Sequence, residues 1–273
     1  MKPLPAFGLG CARIGSLSNS NSTSDSIALI RGAMAMGVTL LDTANIYGQG
    51  DSERVIGRAI AGVRDEAFVV TKGGLTFSRR MLLLRPFKPL LRRLLMQQEM
   101  KNAVVKQRTG QMRANRRASA IVASLDRSLR RLQTDRVDAF LLHSPAADVL
   151  ALPDAAEALT RVRASGRAER VGVACDDLAA LEAALAIGEV DILELPWDVI
   201  ARIADGPVSA TIAERGIAVI AREVLRFQPG VDPVRASANA HATPIVSNTL
   251  IGSRRLDRVR AIVEGVRAMG SPA

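Results

Sequence analysis

The sequence predicts an α/β fold, a single (β/α)8 TIM barrel, on three observations. Eight short β-rich runs alternate with segments of helical periodicity along the 273 residues. Most of these runs are apolar nearly throughout, which is typical of parallel strands covered on both faces. Neighbouring runs are not separated by a two-residue hairpin signal, and eight strand-helix repeats fit the usual barrel of roughly 250 residues. We therefore treat residues 1–273 as one domain.

The predicted strands determine where the polar residues that follow them lie in the fold. They are residues 6–10, 38–42, 67–71, 137–142, 170–174, 191–195, 217–221 and 248–251. An open doubly wound sheet is the alternative, and it normally carries a glycine-rich phosphate turn after its first strand. The third glycine of that turn is missing from residues 8–13, which favours the barrel.

The predicted helices lie between the strands and have recognisable ends. The first is expected to be capped by Ser24-Asp25 and to stop at Gly37. The others are expected at about residues 51–61, 119–132, 154–164, 177–187, 207–214, 233–242 and 255–269. Glycine follows several of them, which is typical of a helix end that needs a left-handed residue.

The positive charge of the chain is concentrated in one segment. The formal net charge is +10, and residues 78–117 hold twelve Lys or Arg against the single acid Glu99, so this segment carries +11. It follows the third predicted strand, and we expect an enlarged basic loop on the catalytic face. A solvated loop is the simplest interpretation, while contact of residues 79–117 with a membrane surface or an acidic partner stays open.

Composition also bounds the partners and the compartment. With one Trp, one Tyr and six Phe, the chain lacks the aromatic platforms that bind single-stranded nucleic acid, so no nucleic-acid partner is expected. Two cysteines, Cys11 and Cys175, are too few for a disulfide framework, and they follow opposite strands of the predicted barrel. The first residues lack the apolar core of a secretory signal, and no run approaches the roughly 20 residues of a membrane span. A cytoplasmic protein is the simplest interpretation.

Four residues of different chemistry follow three of the predicted strands. Asp42 and Tyr47 come after the second strand, Lys72 after the third and His143 after the fourth. Each alone has an ordinary interpretation, such as a cap, a surface charge or a core residue. The carboxyl ends of barrel strands meet on the face where such folds carry their chemistry. We therefore expect the four side chains to lie close together.

Together these groups suit the reduction of a carbonyl. An ammonium ~4 Å from a phenol contributes about 4 kcal/mol at an effective dielectric constant of 20, which would lower the phenol pKa from about 10. Asp42 paired with Lys72 would keep the lysine charged and aimed, while cancelling part of its field. Tyr47 is thus the expected general acid, and a neutral His143 would orient the carbonyl oxygen. None of the four donates hydride, so a cofactor must supply it.

Several motifs in this order carry a family resemblance. They are Leu41-Asp42-Thr43-Ala44 with Tyr47-Gly48, Ser52-Glu53 with Ile56-Gly57, Val70-Thr71-Lys72, Ser128-Leu129 with Arg131-Leu132, Asp135 and Val137-Asp138 leading to Leu142-His143, Val171-Gly172-Val173, and Leu250-Ile251-Gly252-Ser253-Arg254. In order and strand-end placement they resemble the aldo-keto reductases over nearly the whole chain. The resemblance implies a catalytic tetrad of Asp42, Tyr47, Lys72 and His143, with Lys72 and Asp42 lowering the pKa of Tyr47.

The resemblance also implies where a cofactor lies. In the family, residues after the last strand bind the adenosine phosphate, which carries over to Gly252, Ser253 and Arg254 and makes NADP(H) the expected cofactor. Three further positions depart from the family. Cys175 stands where an asparagine grips the nicotinamide amide, Glu194 replaces a glutamine, and Arg222 replaces the tyrosine that stacks on the nicotinamide. We expect these three residues to contact the cofactor, since a guanidinium plane can also stack on a ring.

Two functions remain open at this point. The first is an oxidoreductase that uses NADPH to reduce an aldehyde or ketone to an alcohol, reversibly, with a small and in one interpretation anionic carbonyl compound as substrate. The second is a cofactor-binding regulatory or sensing barrel with little turnover, which the altered nicotinamide contacts allow. No metal is expected in either.

Overall fold

The computed structural model describes residues 1–16, 21–77 and 112–270, and its centre is a closed barrel of eight parallel strands. In chain order the strands are β1 (Phe7–Gly10), β2 (Leu40–Asp42), β3 (Phe68–Gly73), β4 (Leu75–Phe77), β5 (Met112–Ala114), β6 (Val137–His143), β7 (Ala168–Ala174), β8 (Ile192–Pro196), β9 (Ala218–Arg222) and β10 (Val246–Ile251). All except β4 and β5 belong to the barrel, which closes where Leu9 of β1 pairs with Ile251 of β10. The predicted barrel and its eight strands are confirmed.

The strands β4 and β5 form a separate antiparallel pair that the sequence did not predict. Leu75 pairs with Ala114, and residues 78–111 connect the two strands. The two strands that flank residues 78–111 therefore lie close to the carboxyl end of β3. Its residues 78–111 lie outside the described residues, so the expectations placed on them stay predictions.

Helices cover the outside of the barrel. They are Thr23–Ala35, Asp51–Ala59, Ala118–Leu132, Ala147–Leu150, Pro153–Ala164, Leu178–Leu185, Trp197–Ile203, Pro207–Glu214, Pro233–His241 and Leu256–Gly270, with 3-10 turns at Tyr47–Gln49 and Arg64–Glu66. Each predicted helix is present, and the short helices Ala147–Leu150 and Trp197–Ile203 were not predicted. Within the described part of the chain, every helix is too short or too polar to span a bilayer.

The cap of the first helix differs from the prediction. Ser22, not Ser24-Asp25, is the N-cap: its hydroxyl accepts from the backbone N–H of Asp25, whose side chain accepts from the backbone N–H of Ser22. This reciprocal capping box needs an acid or amide three residues after the cap. In the serine-rich run before the helix, Ser22 is the serine that has Asp25 at that spacing.

Side chains of the barrel strands alternate between two apolar layers. One layer fills the barrel interior and includes Leu40, Val70, Leu141, Ile192 and Ile220. The other lies between barrel and helices and includes Leu41, Val69, Phe140, Leu193 and Val219. Because the strand period is two, a residue two positions after an interior residue also faces the axis. Asp42, Lys72, His143, Glu194 and Arg222 all stand in that phase.

A buried polar cluster on the outer side of β3 seats two helices on the barrel. The Thr71 hydroxyl donates to Glu53 Oε1 at 2.7 Å, and Arg131 donates to Glu53 Oε2 and, at 3.1 Å, to the Ser128 hydroxyl. Glu53 is fully buried. The same helices approach so closely that a Cβ at Gly57 would lie 2.4 Å from the Leu132 carbonyl oxygen. These motif residues therefore hold the fold together. We call Glu53, Thr71, Ser128 and Arg131 the outer cluster.

Candidate active site

Asp42, Lys72 and Glu194 form a buried ionic cluster at the carboxyl end of the barrel, here called the inner cluster. The Lys72 ammonium is fully buried, donates to Asp42 Oδ1, and lies 3.1 Å from Glu194 Oε2. It also donates to the Thr43 carbonyl oxygen at 3.3 Å. Glu194 Oε2 accepts no hydrogen bond from any described residue, so its contact with Lys72 is an ion pair alone. Two carboxylates thus share one ammonium.

Tyr47 lies above this cluster at the start of a 3-10 turn. The Lys72 ammonium is 5.2 Å from the centroid of the Tyr47 ring, and the His143 ring meets that ring edge-on with 5.5 Å between centroids. The turn is fixed by Gly48, whose φ is +57° and whose Cβ, if present, would lie 2.7 Å from the backbone of Gly15. The structure therefore brings the four predicted residues together. Their catalytic roles stay predictions.

The net effect on the Tyr47 pKa is opposite to the one expected. Burial contributes most and raises this pKa above its ordinary value of 10. The Lys72 ammonium lowers it, as expected, whereas the carboxylates of Asp42 and Glu194 raise it. The effect of Lys72 is larger than that of Asp42, so the net rise comes from burial together with Glu194. The sequence did not show that Tyr47 is half-buried or that a second carboxylate reaches Lys72.

The pKa values of the other three groups of the site are shifted by the same burial and charges. Burial and then Glu194 raise the pKa of Asp42 to about 7, against the opposing effect of Lys72. Burial alone would lower the pKa of Lys72, but Asp42 and Glu194 raise it above its ordinary value, so the lysine is charged. Burial, followed by the charges of Lys72 and Arg222, holds the pKa of His143 well below 6.5. The imidazole is thus neutral at pH 7.

Arg222 links the inner cluster to the rim of the barrel. Its Nε lies 3.6 Å from Glu194 Oε1, and its other nitrogens pair with Asp176 and Glu223 and donate to the Cys175 carbonyl oxygen at 3.1 Å. The Asp176 side chain is 61% exposed. A continuous run of charged contacts therefore leads from the buried Lys72 to solvent.

A cavity of about 750 Å³ opens above these residues. Its lining includes Asp42, Tyr47, His143, Glu194, Arg222, Gly252, Ser253 and Arg254. Five of the six predicted cofactor residues thus line one cavity together with three of the tetrad. Sequence reasoning missed Arg13, Asp176 and Arg226 in the same lining. A position just after a strand end is the signal that could have found Arg13 and Asp176.

Cys175 is the predicted cofactor residue that does not line the cavity. Its side chain is fully buried in the layer between barrel and helices, because it is one residue out of phase with the interior residue Ala174. Cys11 lies in the same outer layer, and both cysteines are free thiols. Burial raises the pKa of both.

The β4–β5 pair forms a wall of the site beside His143. The Asn45 side chain donates to the Leu75 carbonyl oxygen at 2.8 Å, which ties the pair to the turn before Tyr47. A small cavity of about 30 Å³ lies between this pair and His143 and is lined also by Leu75 and Ala114. The strands that flank residues 78–111 in the sequence therefore form part of the wall of the site.

Comparison with known proteins gives a consistent result. The model of the Aldo/keto reductase family matches residues 6–231. The chain is similar to Aldo-keto reductase YhdN of Bacillus subtilis (strain 168), at 27% identity over 199 residues, 72% of this chain and 51% of that protein. It is also similar to D-threo-aldose 1-dehydrogenase of Pseudomonas sp, at 30% identity over 226 residues, 81% of this chain and 66% of that protein. The chain thus spans about half to two thirds of the length of these relatives.

Solved structures share the fold. Aldo-keto reductase AKR11C1 from Bacillus halodurans, in its holo form, has a TM-score of 0.73 at 19% identity, covering 98% of this chain and 87% of that one. An aldo/keto reductase from Klebsiella pneumoniae, solved with NADP and acetate, has a TM-score of 0.65 at 21% identity, covering 96% and 86%.

Proposed function

This chain belongs to the aldo-keto reductase family, and from that premise we propose that it reduces an aldehyde or ketone to an alcohol with NADPH, reversibly. One observation carries the proposal: Tyr47 and His143 face one cavity directly above the buried Lys72–Asp42 pair. A proton donor and a neutral hydrogen-bonding imidazole meet there in a cavity lined by both polar and apolar groups, and a charged ammonium is buried next to the phenol ring. This is the set that a carbonyl needs when negative charge develops on its oxygen.

Tyr47 is the general acid in this proposal. Its hydroxyl donates the proton to the oxygen of the substrate as the alkoxide forms. Lys72, which stays charged because Asp42 and Glu194 raise its pKa, then stabilises the phenolate that remains. His143 is neutral and half-buried, and its buried Nδ1 has no hydrogen-bond partner among the described residues. The imidazole is thus able to bind the substrate oxygen without competing for the proton.

The cavity fits NADP(H), which supplies the hydride when it is bound. A Cβ at Gly252 would meet no atom within 4 Å, so the backbone there is open to a ligand. Ser253 and Arg254 follow in the lining, and a guanidinium pairs well with a phosphate group. Glu194 lines the cavity, and its buried Oε2 has no hydrogen-bond partner among the described residues, which suits an acceptor for a carboxamide N–H. The similar protein from Klebsiella pneumoniae was solved with NADP.

The substitution Tyr47→Phe tests the proposal. We expect NADPH oxidation with a panel of aldehydes, ketones and anionic carbonyl compounds to fall by roughly 10²- to 10⁴-fold, because the proton donor is gone. NADPH affinity, measured by fluorescence, should change less than about twofold, since the ring that packs beside His143 remains.

Two controls separate the possible outcomes. The second histidine of the chain, His241, stacks on Phe7 outside the cavity, so His241→Gln should keep turnover whereas His143→Gln should lose it. A wild-type protein that binds NADPH but turns over no carbonyl would contradict the reductase and support the sensing alternative. Turnover retained by Tyr47→Phe would remove Tyr47 from its proposed role.

A further inference from the structure

Glu194 gives the site a second carboxylate on the same ammonium. It stands two residues after the interior residue Ile192 on β8, is 1% exposed, and lies 3.1 Å from Lys72. Asp42 approaches Lys72 from β2, on another side of the barrel. Among the described residues, the only other cation within 4.0 Å of either carboxylate is Arg222. Because Glu194, Lys72 and Asp42 are buried, their charges are poorly screened by water.

The charge balance of this group is negative. Two cations, Lys72 and Arg222, meet four carboxylates, namely Asp42, Glu194, Asp176 and Glu223. Arg222 is itself divided among three of them. If residue 194 were an uncharged glutamine, Lys72 would be paired with Asp42 alone, as a neutral pair. The carboxylate at this position therefore adds negative potential where the phenol must ionise.

We propose that Glu194 is a positioning residue that shares the Lys72 ammonium with Asp42 and thereby opposes formation of a phenolate on Tyr47. This inference rests on the proposed function. In reduction, the carbonyl carbon gains hydride from NADPH, which becomes NADP⁺, the π electrons of the C=O bond move to oxygen, and that oxygen takes the Tyr47 proton. Tyr47 then regains a proton from solvent. Alcohol oxidation needs the opposite form, a tyrosinate base, which Glu194 disfavours.

Charged groups of both signs surround Tyr47. The titratable groups that face it are Lys72 on β3, Asp42 on β2, Glu194 on β8 and His143 on β6, and Arg222 on β9 contacts Glu194. His143 is neutral, because burial holds its pKa low. Of the charged groups near Tyr47, Lys72 and Arg222 favour the phenolate, and the carboxylates of Asp42 and Glu194 oppose it.

A second consequence of the Glu194 charge concerns the cofactor. A carboxylate beside the nicotinamide stabilises the cationic, oxidised ring relative to the neutral, reduced ring. Oxidised nicotinamide is the product of carbonyl reduction. The charge of Glu194 thus favours the oxidised cofactor, whereas it opposes the phenolate that proton transfer leaves on Tyr47. Glu194→Gln should accordingly weaken NADP⁺ binding relative to NADPH binding.

The chain permits a direct test because Tyr47 is its only tyrosine. Ultraviolet difference spectroscopy of the protein without cofactor therefore reports tyrosinate at this one position, and circular dichroism run in parallel marks alkaline unfolding. Removing the carboxylate makes the phenolate easier to form. We expect tyrosinate to appear in Glu194→Gln at a pH lower by on the order of one unit than in the wild type. Glu223→Gln, which removes a carboxylate that contacts Arg222 but not Lys72, is the matched control and should leave the titration unchanged.

The outcomes separate this inference from the proposed function, because the titration needs neither cofactor nor turnover. Glu194→Asp, which keeps the charge, should titrate like the wild type. Equal titration of Glu194→Gln and wild type would overturn the inference. If Glu194→Gln does not fold, the wild type decides alone: a tyrosinate midpoint at or below pH about 10 in the folded protein would also overturn it. Where turnover is present, the pH at which ionisation of Tyr47 limits carbonyl reduction should be lower in Glu194→Gln by on the order of one unit.

Discussion

The outer and inner clusters lie on the two faces of one strand and treat buried charge differently. Thr71 points outward to Glu53 and Arg131, where one carboxylate meets one guanidinium and both oxygens accept hydrogen bonds. Lys72, the next residue, points inward to two carboxylates, one of which lacks a hydrogen-bond partner among the described residues. A balanced and satisfied cluster holds helices in place, whereas an unbalanced one creates a potential that acts on a neighbouring group.

Removal of the shared cation should break the inner cluster and gives the largest expected effect. In Lys72→Met, two buried carboxylates lose their partner, so the free energy of unfolding at pH 7 should fall by about 3–5 kcal/mol and turnover should be lost. The loss should shrink in acid. Without Lys72 the carboxyl pKa values in the folded state stand above those of the unfolded chain, so protonation relieves the repulsion as pH falls through them. Urea unfolding at pH 7 and pH 5 measures both effects, and a loss that is equal at the two pH values would contradict this account.

Removal of the cation from the outer cluster should cost stability only. Arg131→Met leaves Glu53 with the Thr71 hydroxyl, and we expect a loss of about 2–3 kcal/mol, because water reaches the partly exposed Arg131 site more easily than the Lys72 site. The tyrosinate titration and the pH dependence of turnover should not change. The exposed neighbour Arg130 is the matched control, and Arg130→Met should alter stability by less than about 0.5 kcal/mol. A shifted titration in Arg131→Met would mean that the two clusters are coupled through β3.

The sequence was sufficient to predict the barrel and the meeting of Asp42, Tyr47, Lys72 and His143, because apolar runs mark strands and strand ends share one face. It was not sufficient for the sign of the Tyr47 pKa shift. That sign depends on burial and on Glu194, which comes from a strand across the barrel and far along the chain. The β4–β5 pair was also missed, since its strands are joined by residues 78–111 and not by a short turn.

Cys175 shows how strand phase limits a prediction that is transferred by alignment. The interior residue Ala174 lines the cavity, whereas Cys175, one position later, points into the outer apolar layer and contributes only its carbonyl oxygen, to Arg222. A side chain on that face has no route to a ligand on the barrel axis.

The smallest expected effect therefore belongs to Cys175→Ala. NADPH affinity should change less than about twofold, and the free energy of unfolding should fall by about 1 kcal/mol, the usual size for a small buried truncation. In the folded wild type, a thiol reagent should not react at pH 7, because the Cys175 thiol is fully buried and burial raises its pKa. A tenfold loss of NADPH affinity in Cys175→Ala would place this side chain on the cofactor and would show that the strand turns at its end, so that phase read from β7 does not extend to residue 175.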